Sequence, residues 1–222
     1  MGGGGKPKIY IVTSHLNQHK KNIEFDISCS CYIQAGSALT DIRLCEVLDN
    51  VGDNISNENE FFCELSAGYW IYKNDNIHDY LGLYHYSRGL DISDEDICAI
   101  MSNKIDVVLP AMLKCSQQLA CRLHFMDIEV IMQALSSKEE IAAFERYLLG
   151  NTFYVGNIVF ARSEIFKNYY AWMFNVIRKC EKYMNEKGIS IPKRLWGYYG
   201  EHLTNVYFLN KDFKVIQVNL KA

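Results

Sequence analysis

The sequence lacks most of the features that assign a chain to a specialised class of proteins. No run of apolar residues approaches the roughly 18 that a membrane-spanning helix needs. No apolar signal segment follows Met1, so we expect a cytoplasmic protein. The 23 basic and 26 acidic residues give a net charge of −3, which provides no general positive field for nucleic acid. A nucleic-acid partner is therefore not expected.

The eight cysteines lack the spacing of a disulfide or zinc motif. No C-x-x-C occurs, and no histidine or second cysteine pair lies at zinc-site spacing. Cys29 and Cys31 are two residues apart in a strand-like run, so their side chains should face the same side. In the absence of a signal segment, scattered cysteines are typical of reduced, buried thiols in the cytoplasm.

Nothing in the composition divides the chain into several domains. It has only three prolines, no repeat and no low-complexity tract within the domain, and 49% of its 222 residues are hydrophobic. These values are typical of one globular domain with a sizeable core. Residues 1–5, with four consecutive glycines, look like an expression scar, so the expected domain is 6–222.

Strand and helix patterns alternate along the chain. Short apolar runs predict strands at 8–13, 32–34, 79–85, 106–110, 151–161 and 214–219. Helical spacing predicts helices at 57–74, 91–102, 125–134, 138–148 and 163–186, and a last helix is expected at 196–209. A loop is expected at 39–50, and a mobile loop or short helix at 111–122. The alternation favours an α/β fold with a mixed, mostly parallel sheet flanked by helices.

The segment 79–88, Asp-Tyr-Leu-Gly-Leu-Tyr-His-Tyr-Ser-Arg, joins a predicted buried strand to a polar end. In open α/β sheets, ligands bind outside the carboxyl ends of the strands. The cation of Arg88, the titratable His85 and the hydroxyls of Tyr86 and Ser87 suit an anion site there, and phosphate is the obvious anion. An ordinary strand end with a solvated arginine explains the same ten residues equally well.

A second segment, 52–74, joins a polar turn to a predicted helix. Gly52, Asp53 and Asn54 have turn chemistry, and a capping-box pattern follows them. Asp53 and Asn54 are candidates to bind ribose or sugar hydroxyls in the same crevice. The alternative is a turn that leads into the helix and binds no ligand.

These two segments together resemble a known family, the bacterial capsular and exopolysaccharide glycosyltransferases. Its members carry a G-D-N-I-S turn, a C/N-E-L-T-A-x-Y-W-x-W-K-N helix and a Y-x-G-L-x-H-Y-R-R strand end. The matching residues here are Gly52-Asp-Asn-Ile-Ser56, Cys63-Glu-Leu-Ser-Ala67, Tyr69-Trp70, Lys73-Asn74, Gly82-Leu83, His85-Tyr86 and Arg88, and weaker matches extend from Lys8 to Leu203. Ser87 departs from the pattern, because the family usually has a second arginine there.

The resemblance implies a GT-A-like nucleotide-diphospho-sugar transferase fold in a single domain. Its nucleotide-binding part would span about 6–110 and its acceptor-binding part about 111–222. The implied reaction transfers a sugar, with galactose or galactofuranose suggested, from a UDP-linked donor to an oligosaccharide or lipid-linked glycan. Such transfers build capsule, exopolysaccharide or lipopolysaccharide. Lipid-linked acceptors would bring the protein to the inner face of the cell membrane as a peripheral protein, although the Lys20-Lys21 pair is too small to argue this.

The resemblance and the residue chemistry together assign candidate roles. The donor-binding candidates, at strand ends and turns, are Thr13, Asp53, Asn54, His85, Tyr86, Arg88 and Asn157. The acceptor-binding candidates are His124, Trp196, Tyr198 and Tyr199, of which the three aromatic residues cluster on a segment expected to be loop. The catalytic candidates are Glu201, the first choice for a base, Asp127, the runner-up, and His85.

Most of these candidates have a structural alternative. Glu201 would otherwise be a capping residue or pair with Arg194, and Asp127 would make a structural hydrogen bond. Asn157 would otherwise be an ordinary bulge residue of a strand. His15 follows the first strand, where a uracil base lies in this fold, but a lone histidine there is more often solvated.

No D-x-D pair follows the strand at 79–85, although GT-A enzymes commonly hold Mn²⁺ or Mg²⁺ with such a pair. Asp91 is the nearest carboxylate downstream. We therefore expect His85 and Arg88 to meet the charge of the diphosphate leaving group, with a divalent metal absent or only weakly required.

Two other functions fit the same sequence. A nucleotidyltransferase or other nucleotide-sugar enzyme usually needs a glycine-rich phosphate loop or metal-binding carboxylates, and neither G-x-G-x-x-G nor G-x-x-x-x-G-K occurs. A non-catalytic glycan-binding or assembly subunit also fits, because Ser87 removes one of the family's paired arginines.

Overall fold

The computed structural model of the chain describes residues 6–17 and 23–222. The strands are β1 (Pro7–Thr13), β2 (Ser30–Gln34), β3 (Val47–Leu48), β4 (Tyr80–His85), β5 (Gly89–Leu90), β6 (Val107–Pro110), β7 (Leu113–Lys114), β8 (Thr152–Phe153), β9 (Val159–Arg162), β10 (Val215–Val218) and β11 (Leu220–Lys221). The α-helices are α1 (Asn59–Phe62), α2 (Leu65–Asn74), α3 (Asp94–Ser102), α4 (Phe125–Ala134), α5 (Lys138–Leu149), α6 (Ser163–Glu186) and α7 (Leu195–Phe208). Short 3₁₀ turns occupy His15–Asn17, Ser37–Leu39, Ser56–Glu58 and Leu119–Arg122. The expected expression scar, residues 1–5, and the Lys20-Lys21 pair lie outside the described residues.

Within the described part of the chain, seven strands form one sheet in the order β10-β6-β9-β4-β1-β2-β3. Every neighbouring pair is parallel except the two pairs that involve β9. This confirms the mixed, mostly parallel sheet that the sequence predicts. Because β1, β2, β4 and β6 run the same way, their carboxyl ends and the start of β9 meet at one edge of the sheet. The register places Val12 of β1 beside His85 of β4 at that edge.

Apolar side chains cover both faces of the sheet. Ile9 of β1 packs on one face in a cluster with Ile97 of α3. Tyr10 packs on the other face in a cluster that includes Phe166 of α6. Burial on both faces explains why β1 is a continuous apolar run and does not alternate with polar residues. None of the helices described here is long and apolar enough to cross a bilayer.

The predicted helix over 57–74 is interrupted at Cys63. This residue has φ 52° and ψ −129°, which end α1 and redirect the chain before α2. Glu64 therefore becomes the N-cap residue of α2, although its side chain makes no capping hydrogen bond. A residue other than glycine with positive φ is uncommon, so the helical pattern alone does not reveal the break.

The predicted strand over 151–161 is also split, into β8 and β9. Gly156 lies between them with φ +73°, a conformation that glycine adopts without strain. The split leaves Asn157 in the connection that enters β9. Asn157 therefore lies at the same edge of the sheet as His85.

Several smaller expectations are corrected at element ends. The helix predicted from residue 91 begins at Asp94, because the side chain of Ser93 accepts a hydrogen bond from the Asp96 N–H and caps it. The loop predicted over 39–50 contains the two-residue strand β3. The segment 111–122 holds the short strand β7 and a 3₁₀ turn.

The chain end supports the segment that follows β4. Strand β11 pairs antiparallel with β5, which places Leu220 beside Leu90. The backbone N–H of Asp91 donates to the carbonyl of Asn219 at 2.9 Å. The turn after β4 is therefore held on its carboxyl side by the last residues of the chain.

The cysteines are free thiols, but most are not buried. Cys180 is buried, whereas Cys98 and Cys121 are exposed and the other five are half-buried. The expectation of uniformly buried thiols is therefore wrong, because polar loops and helix surfaces carry several of them.

Candidate functional site

Two adjoining cavities open at the edge where the parallel strands end. The first, called here the β1 cavity, has a volume of about 540 Å³ and is lined by Thr13, Ser14, His15, Leu39 and Asn59, among others. The second, the α7 cavity, has a volume of about 600 Å³ and is lined by Arg88, Lys193, Gly197, Tyr198 and Glu201, among others. Their position agrees with the rule that ligands bind at the carboxyl ends of strands in open α/β sheets.

The two cavities are separated by a set of residues that line both, called here the shared wall. Its members are Cys63, Glu64, His85, Tyr86 and Arg194. A ligand that reached from one cavity to the other would pass over this wall. The wall carries both signs of charge, because Glu64 lies among His85 and Arg194.

A tight turn after β4 presents His85 and Arg88. The N–H of His85 donates to the carbonyl of Arg88 at 2.9 Å, and the N–H of Arg88 donates to the carbonyl of His85 at 3.1 Å. The imidazole Nδ1 of His85 lies 2.8 Å from Oγ of Ser87. Ser87, which stands where an arginine was expected, therefore orients the imidazole of His85. Tyr86 is buried beside it, with the two rings 4.2 Å apart.

The guanidinium of Arg88 lies over the α7 cavity. Its Nη2 is 3.9 Å from Oε1 of Glu201, which is too long for a tight ion pair. A Cβ atom on Gly156 would lie 3.6 Å from the guanidinium carbon of Arg88. The backbone of the β8–β9 connection thus forms the floor beneath the arginine.

The carboxylates of Glu201 and Glu64 both line the α7 cavity and influence each other electrostatically. Burial raises the pKa of Glu201, the charge of Glu64 raises it further, and the Arg88 guanidinium acts in the opposite direction. Burial of a carboxylate disfavours its charged form, and a second carboxylate nearby does the same. Glu201 therefore binds its proton more tightly in this site than a glutamate does in water.

Asn157 holds Glu64 in place from inside the protein. Its side chain is only 3% exposed and donates from Nδ2 to Oε1 of Glu64 at 2.8 Å and to the carbonyl of Gly197 at 3.1 Å. A Cβ atom on Gly200 would lie 2.9 Å from Oδ1 of Asn157. The glycine face of α7 therefore allows the close approach that positions Asn157 and, through it, Glu64.

Two residues of the shared wall have unusual backbone conformations. Cys63 has φ 52° and Arg194 has φ 68°, and both are residues other than glycine. The N–H of Arg194 donates to the carbonyl of Glu60 at 2.8 Å, and Nζ of Lys193 lies 3.1 Å from the Glu60 carboxylate. Such conformations cost free energy and tend to cluster at functional sites. Here they bring the cation of Arg194 against the break between α1 and α2.

The structure brings five of the predicted donor residues to the two cavities or directly behind them. Thr13, His85 and Tyr86 line the β1 cavity, Arg88 lines the α7 cavity, and Asn157 is buried directly behind them. His15, noted in the sequence only as a weak candidate, also lines the β1 cavity.

Asp53 and Asn54 line neither of these cavities and have the contacts of a structural turn. The Asp53 carboxylate accepts a hydrogen bond from the Tyr69 hydroxyl at 3.0 Å and lies 3.6 Å from Nζ of Lys73. The Asn54 side chain donates to the carbonyl of Gly52 at 2.8 Å. These contacts correspond to the alternative in which the turn leads into the helix.

Asp127 and His124 also lie outside the two cavities. The Asp127 carboxylate accepts a hydrogen bond from the buried Tyr199 hydroxyl at 2.7 Å, which ties α4 to α7. His124 is an exposed residue at the N-terminus of α4. The structural alternative for Asp127 therefore describes its contact, although its partner is a tyrosine of another helix.

Two of the three predicted acceptor aromatics belong to the core. Trp196 is 1% exposed and Tyr199 is 0% exposed, whereas Tyr198 is 44% exposed and lines the α7 cavity. The helix predicted over 196–209 is confirmed as α7, which begins at Leu195, so the placement of these aromatic residues on a loop is wrong. A helix turns successive side chains by about 100°, which separates Tyr198 from its buried neighbours.

Sequence reasoning missed Glu64, Cys63, Lys193 and Arg194 as lining residues. Cys63 and Glu64 do belong to one of the motifs that carry the family resemblance, but within a helix they gave no sign of facing a cavity. Lys193 and Arg194 had no local pattern at all. Their position depends on contacts between α7 and the α1–α2 break.

A divalent-cation site is not formed by these residues. Among residues 6–17 and 23–222, no group of three or more His, Cys, Asp or Glu side chains is arranged to hold a metal ion. The carboxylates of Glu64 and Glu201, which line the α7 cavity, are interleaved with the cations of Arg88 and Arg194. This mixture does not fit the oxygen-rich ligand set that Mg²⁺ or Mn²⁺ prefers.

Comparison with solved structures supports the fold. An apo structure of WbbM, described as a bifunctional glycosyltransferase, superposes with a TM-score of 0.80 at 24% sequence identity. The match covers 97% of this chain and 45% of that chain, so this chain spans less than half the length of WbbM. The mannosyltransferase Ktr4p from S. cerevisiae matches at 12% identity with a TM-score of 0.39, covering 99% of this chain and 71% of its own. The first of these matches confirms the GT-A-like α/β fold.

Comparison with other sequences gives a family without an assigned activity. No curated protein matches the chain. The sequence model of one family, described as a domain of unknown function (DUF4422), matches residues 8–212, which is nearly the whole chain. The chain therefore belongs to the DUF4422 family.

Proposed function

We propose that the protein is a glycosyltransferase that moves a sugar from a nucleotide-diphosphate sugar to a glycan acceptor. The observation that carries this proposal is the pair of cavities that meet at the shared wall, with Arg88 and Arg194 beside the junction. Such a site can hold an anionic donor on one side and a neutral, hydroxyl-rich acceptor on the other. The GT-A-like fold agrees with this reading.

The nucleoside is assigned to the β1 cavity. Thr13 and His15 follow β1 there, and the apolar side chain of Leu39 lines the same space. The imidazole Nδ1 of His15 is buried and has no hydrogen-bond partner among the described residues. A nucleobase in this cavity would supply such a partner, and the family resemblance suggests uracil in a UDP-linked donor. Galactose in its pyranose or furanose form is the first sugar to test.

The diphosphate is assigned to the turn after β4. His85 and Arg88 are held there by reciprocal backbone hydrogen bonds, and Arg194 lies on the same wall. The leaving diphosphate gains negative charge in the transition state, and fixed cations stabilise that charge. Ser87 contributes by orienting His85 and supplies no second cation.

The acceptor is assigned to the α7 cavity. Tyr198 offers an exposed aromatic face, which suits stacking against a sugar ring, and Glu201 and Lys193 offer polar contacts to hydroxyls. An oligosaccharide or a lipid-linked glycan of capsule, exopolysaccharide or lipopolysaccharide is the proposed acceptor class. For a lipid-linked acceptor the protein would work in the cytoplasm at the inner face of the membrane.

A panel of nucleotide sugars tests the donor assignment. Each compound is scored by thermal shift, because a ligand at about 100 times its Kd adds about 2.7 kcal/mol to stability. UDP, UDP-galactose and UDP-galactofuranose should raise the Tm, and GDP-mannose should raise it less. If no nucleotide sugar raises the Tm or is turned over, the proposal is wrong. Binding without turnover over many acceptors would favour a non-catalytic glycan-binding subunit.

Turnover in the presence of EDTA tests how the diphosphate is held. The protein should keep its activity there, because the Arg88 guanidinium and the His85 imidazole at the turn after β4 meet the leaving-group charge. Complete loss of activity in EDTA, restored by Mn²⁺, would contradict this role for His85 and Arg88.

A further inference from the structure

We propose that Glu64, and not Glu201, is the carboxylate that takes the proton from the attacking acceptor hydroxyl. This inference rests on the proposed function and assigns a catalytic residue within it. The family resemblance favoured Glu201, because in many GT-A enzymes a carboxylate after the corresponding strand and helix approaches the acceptor. The geometry of the shared wall points to a different residue.

Position is the first argument for Glu64. Of the carboxylates that line the two cavities, Glu201 borders only the α7 cavity and Glu60 only the β1 cavity, whereas Glu64 borders both. A sugar that passes from donor to acceptor must be transferred where the two cavities meet. A general base has to lie within hydrogen-bond reach of the attacking hydroxyl at that point.

The second argument is that a hydrogen bond from Asn157 fixes one carboxylate oxygen of Glu64. Asn157, itself 3% exposed, donates from Nδ2 to Oε1 of Glu64 at 2.8 Å. The Thr204 hydroxyl lies 3.4 Å from Oδ1 of Asn157, and the Gly197 carbonyl accepts the other amide hydrogen bond. Within residues 6–17 and 23–222, Oε2 of Glu64 accepts no hydrogen bond from the protein. One oxygen is thus fixed and the other remains to receive a proton.

The third argument is the backbone conformation that places Glu64. The positive φ of Cys63 ends α1 and puts Glu64 at the N-cap position of α2 without a capping hydrogen bond from its side chain. The Glu64 carboxylate is therefore not used to cap α2, and it lines both cavities instead. A Cβ atom on Gly197 would lie 3.1 Å from Cβ of Cys63, so the glycine leaves room for this turn.

Glu201 has an environment that suits a different role. Its Oε1 lies 3.9 Å from Arg88, and burial together with the Glu64 charge raises its pKa. Of the two cavities, Glu201 lines only the α7 cavity, together with the exposed Tyr198, so it is placed to contact hydroxyl groups of an acceptor. We therefore assign Glu201 to acceptor binding.

The transfer step then balances as a single displacement. The acceptor oxygen forms a bond to the anomeric carbon while its proton moves to Oε2 of Glu64. The bond between the anomeric carbon and the diphosphate oxygen breaks, and its electron pair remains on the nucleoside diphosphate beside Arg88. One displacement at the anomeric carbon inverts its configuration.

Three variants test the assignment with UDP-galactose and UDP-galactofuranose as donors and methanol as acceptor. Glu64→Gln should lower kcat by about 10²–10⁴-fold, the usual contribution of a general base, while the Kd for UDP stays near that of the wild type. Glu201→Gln should mainly raise the KM for acceptor. The matched control is Glu145→Gln, at an exposed site on α5, which should leave both constants unchanged.

The anomeric configuration of the methyl glycoside gives a second test that needs no variant. Proton NMR on the product of the wild-type protein should show inversion, and a retained configuration would overturn the assignment. It would also be overturned if Glu64→Gln kept wild-type kcat, or if Glu201→Gln lost more kcat than Glu64→Gln. A wild-type protein that binds no UDP and turns over neither donor would instead remove the proposed function, and this inference with it.

Discussion

Nη2 of Arg88 lies 3.9 Å from Oε1 of Glu201, with 36% and 37% of the two side chains exposed to solvent. At this length and exposure the pair contributes little to stability. The guanidinium is therefore held near the junction of the two cavities without being neutralised there. In the proposed function, Arg88 would exchange this carboxylate for a phosphate oxygen of the donor.

Replacement of Arg88 should affect turnover far more than stability. Arg88→Ala should lower kcat by about 10²–10³-fold, because it removes the positive charge that stabilises the leaving diphosphate. UDP should also bind more weakly. Steady-state kinetics and UDP titration measure the two effects, and urea unfolding should show a nearly unchanged stability.

The matched control for this prediction is Arg146→Ala. Arg146 is an exposed residue of α5 that hydrogen-bonds Asn210, far along the chain from the β4 turn. Its removal should leave turnover unchanged. Equal losses in the two variants would show that Arg88 acts through net charge alone.

Glu201 should make the folded protein less stable as the pH rises. Its pKa is raised in the folded state, mainly by its partial burial, so the folded protein binds this proton more tightly than the unfolded chain. That contribution is present below the ordinary carboxyl pKa and is lost as the pH rises through the raised value. Glu201→Gln should therefore gain Tm relative to the wild type as the pH rises from about 4.3, the ordinary pKa of a glutamate, through the raised value. A constant difference between the two proteins across this range would contradict the raised pKa.

His202 should make the folded protein more stable as the pH rises, which is the opposite of the effect of Glu201. Burial, followed by the charge of Arg122, lowers the pKa of His202 to about 4. The unfolded chain then binds more protons than the folded protein between about pH 4 and about pH 6.5, so stability rises with pH in that window. His202→Gln should flatten this rise in a series of urea titrations. An unchanged slope would mean that His202 titrates normally.

The buried carboxylate of Asp49 should be essential to stability. It is 0% exposed and accepts hydrogen bonds from the N–H groups of Gly36 and Ser37 and from the hydroxyls of Ser37, Ser56 and Ser66. Asp49→Asn places an amide N–H₂ against these donors. We expect a loss of about 2–5 kcal/mol in the free energy of unfolding, because hydrogen bonds to a buried charge are strong and costly to break.

Asp53→Asn is the control for this effect. The Asp53 carboxylate is exposed and makes one hydrogen bond and one long ion pair, so its replacement should cost less than about 1 kcal/mol. Urea unfolding of both variants measures the difference. Similar losses would mean that the burial of Asp49 does not increase the contribution of its hydrogen bonds to stability.

Tyr198 and Trp196 should separate acceptor binding from core packing. Trp196→Ala should cost about 3–5 kcal/mol in stability, because the indole is buried in the core. Tyr198→Ala should leave stability nearly unchanged and raise the KM for a glycan acceptor, because its exposed ring lines the α7 cavity. Thermal unfolding and acceptor-dependent kinetics measure the two effects. An unaffected acceptor KM in Tyr198→Ala would remove this residue from the proposed site.

Much of the sheet could be predicted from sequence because its signals are local. Strands β1, β4 and β6 are apolar runs, and two-sided burial makes such runs continuous. The polar end at His85 and Arg88 could be predicted as well, since it follows directly from where β4 stops. The breaks at Cys63 and Gly156 could not, because each depends on backbone conformations that neighbouring elements impose.

The residues of the candidate site likewise fall into those that the sequence could predict and those that it could not. Thr13, His85 and Arg88 lie at strand ends, so the parallel sheet alone brings them to one edge. The aromatic segment at the start of α7 was misjudged for Trp196 and Tyr199, since sequence does not reveal which face of a helix is buried when every face carries aromatic residues.

The sequence by itself determined the mostly parallel α/β sheet and the edge at which a ligand would bind, because apolar runs and strand ends are properties of short segments. Only the tertiary structure decided that Glu64 and Arg194 stand at the junction of two cavities. Their placement needs α7 to approach the α1–α2 break closely, and that approach depends on small residues distant in the chain, Gly197 and Gly200. Contacts of this kind are set by packing, which no local pattern records.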